Sequence, residues 1–281
     1  LPWFVTPRLR FLHVPKTGGT WATDAMCAAG VRAEHPPGSP AHLHLGQTRE
    51  YSDRFTVAFV RHPLDYWRSY WAFRMRTGWD LDSAFDDAVR SNDFVAFVER
   101  VIALAPGGAG ALFEQFVGPE EAEVSFVGRH EQLLEDACLA LRLAGEPFDE
   151  SVLRGFPRVN VTRYRPGQAL YPRELAEHLA AAESRAIGRF YPWEPVPERL
   201  VIGGRVPLTP DPLREQLRGM MIQLRDTRAE LIATRARTAA DARDLDLVRA
   251  QLRDAQAALA GRPLPRLRAV AGGRRRYSGG T

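Results

Sequence analysis

The chain has 281 residues, is 45% hydrophobic and carries a formal charge of +4 with a pI near 9.4. That is enough apolar material for a sizeable core in one large domain or two smaller ones. The modest basic excess suits an anionic ligand, but it is spread along the chain and argues only weakly for nucleic acid. Cys27 and Cys138 stand far apart, with no CxxC or Cys/His cluster. This argues against a zinc site or a disulfide scaffold and fits a reducing compartment. No run of about 18 apolar residues and no basic-then-apolar leader occurs, so the expectation is a cytoplasmic protein without a membrane span. The chain begins with Leu rather than Met, which leaves room for an upstream segment.

In chain order, Arg10–Val14 is a short apolar run that reads as a buried strand ended by Pro15. Thr20–Ala29 follows as a helix with Gly30 as its stop. His35–Pro40 is a Pro/Gly/Ser loop, and Phe55–Val60 a second buried strand. Pro63 opens a helix to about Arg76, with further helical stretches near 81–90 and 92–104. Pro106–Gly110 reads as a loop, Val124–Val127 as a third strand, Glu131–Leu143 as a helix, and Pro172–Phe190 as another. Strands alternating with helices predict an α/β fold around a parallel sheet, with ligands bound beyond the carboxyl ends of the strands.

Residues 1–200 thus form a candidate catalytic domain. Prolines at 192, 195, 197, 207, 210 and 212 crowd the next stretch, and 201–212 reads as a linker. After it, Leu217, Leu224, Leu231, Thr238, Leu245, Leu252 and Leu259 recur at intervals of seven. The companion column is Met220, Thr227, Thr234, Asp241, Val248 and Ala255, poor in its middle. A long helix over 213–260, roughly 70 Å, is predicted. It is either a parallel coiled coil with a weak centre, making the chain a homo-oligomer, or a single amphipathic helix laid on the catalytic domain. The tail 261–281, with Arg274, Arg275 and Arg276 among glycines, reads as disordered.

Lys16 is the only lysine in a chain whose other strongly basic side chains are all arginine. It stands in Pro15-Lys16-Thr17-Gly18-Gly19-Thr20-Trp21, between the first strand and its helix. Free N–H groups at a helix start and the helix dipole favour an anion there. The glycines would let the backbone approach it, and the Thr17 and Thr20 hydroxyls would donate to it. The nucleoside triphosphate loop G-x-x-x-x-G-K-[ST] does not fit, because this lysine precedes both glycines. A second motif, FVRHPLDYWRSYW, puts Arg61 at the end of the second strand and Ser69 eight residues on, inside the next helix. Positions 62, 65 or 66, and 69 share a helix face, so both side chains can meet one anion. Two anion sites on adjacent strand–helix turns suggest a ligand with phosphate at both ends.

These motifs resemble those of sulfotransferases. PKTGGTW is similar to their 5′-phosphosulfate loop, and RHPLDYWRSY to their 3′-phosphate motif. The segment around HLHL before the second strand, FVGRHEQLLEDACLALRLAGEP, and the closing VNVTRYRPGQALYPRELAEHLAAAESRAIGRFYP resemble carbohydrate (Golgi-type) and bacterial members. The likeness spans roughly residues 8–193 and leaves out the heptads. It implies a P-loop-like sulfotransferase fold with helices on both faces of the sheet. The implied sulfuryl donor is 3′-phosphoadenosine 5′-phosphosulfate (PAPS), giving 3′,5′-ADP, with no metal. The acceptor is a hydroxyl of a carbohydrate, glycolipid or natural product.

In this reading Lys16 stabilises the leaving phosphate as a mobile point charge, which a wide guanidinium fork would do less well. A histidine, partly neutral at pH 7, serves as base; the resemblance puts His42 first and His44 second. His130 stands where relatives carry an aromatic against adenine, and Arg163 is a second candidate for the 3′-phosphate. His13 reads as a structural neighbour. Trp67, Trp71 and Trp79 either line an acceptor pocket or, more in keeping with helical spacing, belong to the core. The alternatives are a nucleotide-dependent kinase with an atypical loop, for which Asp65 is the nearest metal-binding carboxylate, and a non-catalytic oligomeric nucleotide-binding scaffold.

Overall fold

The computed structural model describes residues 3–35, 40, 42–119, 124–159, 161–162, 164, 167–204 and 211–260, with side chains as far as 253. Two compact units divide the chain, Leu1–Thr234 and Arg235–Thr281. The first therefore reaches past the proline-rich stretch and includes the opening turns of the long helix. Residues 205–210 of that stretch and the tail 261–281 fall outside the described residues.

The elements of the first unit centre on four strands: β1 (Phe4–Val5), β2 (Leu9–Leu12), β3 (Phe55–Val60) and β4 (Phe126–Arg129). Their spatial order is β1-β2-β3-β4; β1 pairs antiparallel with β2, and β2, β3 and β4 run parallel. Every residue of β3 is buried, because a central parallel strand has a layer on each face. Phe55, Val57 and Phe59 join one apolar cluster and Ala58 and Val60 the other, as the period of two requires. The first cluster includes residues of α1 (Gly19–Ala28), α6 (Leu133–Ala144) and α7 (Glu150–Gly155). The second takes in α2 (Pro63–Thr77), α4 (Phe94–Leu104), α5 (Gly108–Val117), α8 (Arg173–Ala182) and α9 (Ser184–Phe190). Between α2 and α4 lies the short α3 (Ala84–Val89), whose Asp86 binds Tyr70 and pairs with Arg74 of α2. The chain is thus a mixed α/β protein with a mostly parallel sheet and helices on both faces.

The element pattern departs from the sequence reading in several places. The antiparallel edge strand β1, the 3₁₀ helix Leu45–Tyr51 and α7 are elements that reading does not contain. The third strand lies two residues later, at Phe126–Arg129. A turn of 3₁₀ helix, His130–Gln132, precedes α6. The expected loop at 106–110 turns into helix at Gly108, and the expected helix over 172–190 breaks at Glu183. The last two departures meet at one residue. Glu183 is buried, and its carboxylate accepts from the backbone N–H groups of Ala109 (2.9 Å) and Gly110 (3.1 Å) and from the Trp67 indole (2.9 Å). A carboxylate from far along the chain therefore satisfies the first-turn donors of α5, a helix that opens on Gly107-Gly108 with no side-chain cap of its own. The same contact fixes Trp67 in the core. Trp71 is also buried, its indole donating to the Ser91 carbonyl, and Trp79 packs on the core edge. Trp67 and Trp71 thus belong to the core, and Trp79 stands at its edge.

The long helix α10 (Pro212–Ala260) is continuous. Within the first unit it packs through Ala229 and Ala233, with Met221 and Ile232 partly buried, and Arg225 pairs with the buried Asp136 at 2.8 Å.

Replacing Glu183 by Ala would leave three buried donors without an acceptor, and the expected loss of stability is about 3 kcal/mol or more. Glu183→Gln, which keeps one acceptor oxygen, should lose clearly less. Urea unfolding of the three proteins side by side checks the order.

Candidate functional site

Because β2, β3 and β4 are parallel neighbours, their carboxyl ends lie side by side. Leu12, Val60 and Arg129 end the three strands. The chain beyond each contributes one part of a single site: the Lys16 loop, Arg61 and His130.

The loop is shaped by its neighbours. Thr17 is fully buried and its hydroxyl donates to the Val14 carbonyl at 2.9 Å. That hydroxyl therefore closes the turn instead of facing a ligand, contrary to the expectation. Gly18 has φ +88°, a left-handed conformation favouring glycine, and precedes α1 without a side-chain cap. A Cβ there would come within 2.6 Å of Leu133 and 2.9 Å of the His130 ring; one on Gly19 would fall 2.0 Å from the His13 ring. Gly18 is thus required by its φ and by Leu133 and His130, and Gly19 by His13, reasons the motif alone does not reveal. His130 also donates from Nδ1 to the Thr17 carbonyl at 3.1 Å and so clamps the turn. Burial first, then Arg61, pushes its pKa down to about 4. The opening N–H groups of α1, with the half-buried Thr20 in the first turn, form the anion-facing end of the helix. Trp21 packs its side chain in the core beside Phe156.

Lys16 and Ala169 are the non-glycine residues with positive φ among those described; Lys16 has φ +64°. An L-residue held there costs about 1–2 kcal/mol. Its ammonium lies 4.1 Å from the centre of the Phe73 ring. Burial lowers its pKa most, and Arg76, Arg61 and Arg74 lower it further, to about 8. Arg61 donates to the Lys16 carbonyl at 3.2 Å, so the two anion motifs touch directly. Ser69 is 4% exposed, and positions 62, 65 or 66, 69, 73 and 76 run down one face of α2. That face carries Ser69, then Phe73 with Lys16 over it, then Arg76.

Arg68 and Tyr164 join this region although the sequence reading passed over them. The Arg68 guanidinium stacks 3.7 Å from the Tyr164 ring centre. Burial raises the Tyr164 pKa, and Arg68 and Arg61 oppose it, which places the two arginines in the same field. The Nε of Arg61, the Nε of Arg68 and the Tyr164 hydroxyl are buried with no hydrogen-bond partner among the described residues. The available signal was Arg68 beside Ser69 in the motif and Tyr164 beside Arg163. Arg163 itself lies outside the described residues.

The two candidate bases separate. Nδ1 of His42 lies 2.9 Å from the His13 carbonyl, an acceptor, so Nδ1 carries the hydrogen and Nε2 keeps its lone pair. Its ring is exposed and stands edge-on to His13, 4.7 Å between centres. His44 instead precedes a 3₁₀ helix, Leu45–Tyr51, its own N–H donating to the Gln47 side chain. Its ring packs edge-on against Phe116 of α5 at 5.0 Å.

Behind the site, Glu131 accepts from the His62 N–H at the start of α2 and from the Tyr191 hydroxyl. His62 accepts from the Leu64 N–H and donates to the Glu194 carbonyl. Asp65 pairs with Arg199 and lies inside α2. These contacts fix the start of α2, and with it Arg61 and Ser69.

The lowered Lys16 pKa has a sign. Between about pH 8 and its ordinary value near 10.5, the unfolded chain holds a proton on this lysine that the folded chain has released. Stability therefore rises with pH across that window through this group. Chemical unfolding at pH 7.5, 9 and 10.5 should show wild type gaining relative to Lys16→Met as pH rises. A constant difference would contradict the desolvated, cation-ringed placement.

Compared with models of protein families, with characterised proteins and with solved structures, the chain matches none.

Proposed function

We propose that the chain is a PAPS-dependent sulfotransferase, built on the P-loop-like fold of that family and acting on a hydroxyl acceptor. The observation that carries the reading is the meeting of the two anion motifs, with the Arg61 guanidinium on the Lys16 carbonyl at 3.2 Å. The residues present fit a donor with phosphate at both ends. The first turn of α1 and Lys16 would hold the 5′-phosphosulfate. Arg61 and Ser69 would hold the 3′-phosphate, with Arg68 and Tyr164 beside them. The buried Nε atoms of the two arginines and the Tyr164 hydroxyl are donors in search of an acceptor.

When bound, PAPS supplies a sulfuryl group whose bond to the 5′-phosphate oxygen breaks as a bond from the acceptor oxygen to sulfur forms. The chain's own work is alignment, proton removal and charge stabilisation. His42 Nε2 takes the acceptor's hydroxyl proton while Nδ1–H holds the His13 carbonyl, so the imidazolium keeps its orientation. Lys16, near pKa 8 in the free protein, is fully charged once an anion neighbours it. One unit charge at about 4 Å and an effective dielectric of about 20 is worth roughly 4 kcal/mol before desolvation. The kinase alternative asks for an available carboxylate at a strand end, whereas Asp65 is engaged by Arg199 inside α2.

The test is transfer of labelled sulfate from PAPS to a panel of sugars, glycolipids and phenols. Lys16→Arg should lower turnover by about 10²–10³ on the best acceptor, and His42→Ala by about 10²–10⁴. His44→Ala should retain most of the activity. Near-wild-type turnover of Lys16→Arg, or loss with His44→Ala but not with His42→Ala, would overturn these assignments.

A further inference from the structure

The face that α10 turns to the first unit is not its leucine face. Starting the heptad at Leu217 as position a, the buried Ala229 (1% exposed) and Ala233 (2%) fall at f and c, and Arg225 at b. These lie opposite the a/d seam. The helix therefore meets the core through small residues and an ion pair, with Met221 at e and Ile232 at b partly buried beside them, and leaves its a and d residues outside. Nine exposed large apolar side chains lie on the described part of α10, and eight of them fall at a or d: Leu213, Leu217, Met220, Leu224, Leu231, Leu245, Val248 and Leu252. They are 39–75% exposed; Leu247 is the exception to the seam. In the second unit, every residue from 235 to 249 is exposed. A helix so placed gains little from its own propensity and draws its stability from packing a face.

We propose that this seam pairs with the same seam of a second copy of the chain, in a parallel, in-register two-stranded coiled coil. The charges flanking the seam select partner and direction. In a parallel pair each g position faces e of the next heptad on the other helix. Here the facing pairs are Gln216 with Met221, Gln223 with Arg228, Glu230 with Arg235, Arg237 with Ala242, Asp244 with Arg249 and Gln251 with Gln256. Two are attractive and none sets like charges together. An antiparallel pair would set e against e, and Arg228, Arg235 and Arg249 all occupy e. Asp241 at d and the threonines at 227, 234 and 238 weaken the middle of the seam, so the leucine-bearing heptads at the two ends hold the pair.

The test uses the full chain. Light scattering should give twice the 31.4 kDa of one copy, and Leu245→Glu with Leu252→Glu should return the mass to one copy. Both residues are exposed and lie beyond the first unit, so the helical signal and thermal unfolding of that unit should persist in the variant. Under mild oxidation Leu245→Cys should form a disulfide-linked dimer, while Arg243→Cys, at f, and wild type should not. A single-copy mass for wild type at its highest soluble concentration would overturn the proposal, as would a two-copy mass surviving the double variant. Cross-linking through Arg243→Cys as readily as through Leu245→Cys would overturn the parallel register.

Discussion

Positive charge gathered where water is scarce is the constraint on which the rest of the site depends. Lys16 sits in a left-handed turn, over Phe73, and in the field of Arg61, Arg74 and Arg76. Arg61 and Arg68 keep buried Nε atoms without an acceptor among the described residues. Such an arrangement is unfavourable by itself: burial and like charge both oppose it. It persists because the sheet holds the three carboxyl ends in register and because the loop is clamped on both sides. His13 lies against Gly19, and His130 lies against Gly18 and holds the Thr17 carbonyl.

The support reaches further out through packing. Glu183 caps α5, Phe116 of α5 receives the His44 ring, and His44 starts the 3₁₀ turn just after His42. His42 in turn is tied to the His13 carbonyl at the edge of the loop. A run of contacts therefore leads from the buried Glu183 to the segment that carries the candidate base. On the other side Glu131 ties the start of α2 to Tyr191, so the chain closing the domain also fixes Arg61.

The sheet and the anion loop were legible because their signals are local. The run Phe55–Val60 is buried on both faces, Pro63 sits in the first helical position, and Gly30 follows the end of α1. The start of α5 and the break before α9 were not legible. A Pro-Gly-Gly stretch reads as a breaker unless a distant acceptor is known to satisfy its N–H groups, and Glu183 is that acceptor. The roles of the loop residues were only half legible. The glycines announced a tight turn, but not that His13, His130 and Leu133 occupy the space their side chains would need. Nor did the motif show that the Thr17 hydroxyl is engaged by Val14. Arg68 and Tyr164 were missed because a cation stacked on a ring carries no spacing rule across a hundred residues. On α10 the heptads were plain, but the face turned to the core could be read only once Ala229 and Ala233 were seen to be buried.

The central claim is that Lys16, Arg61 and Ser69 form one clamp for a nucleotide phosphorylated at both its 3′ and 5′ positions. Calorimetric titration of the full-length protein with 3′,5′-ADP, with ATP as the control, tests it most directly. The account predicts one site per chain that binds 3′,5′-ADP more tightly than ATP, with the preference lost in Arg61→Ala. Absence of binding, or a preference for ATP, would contradict it.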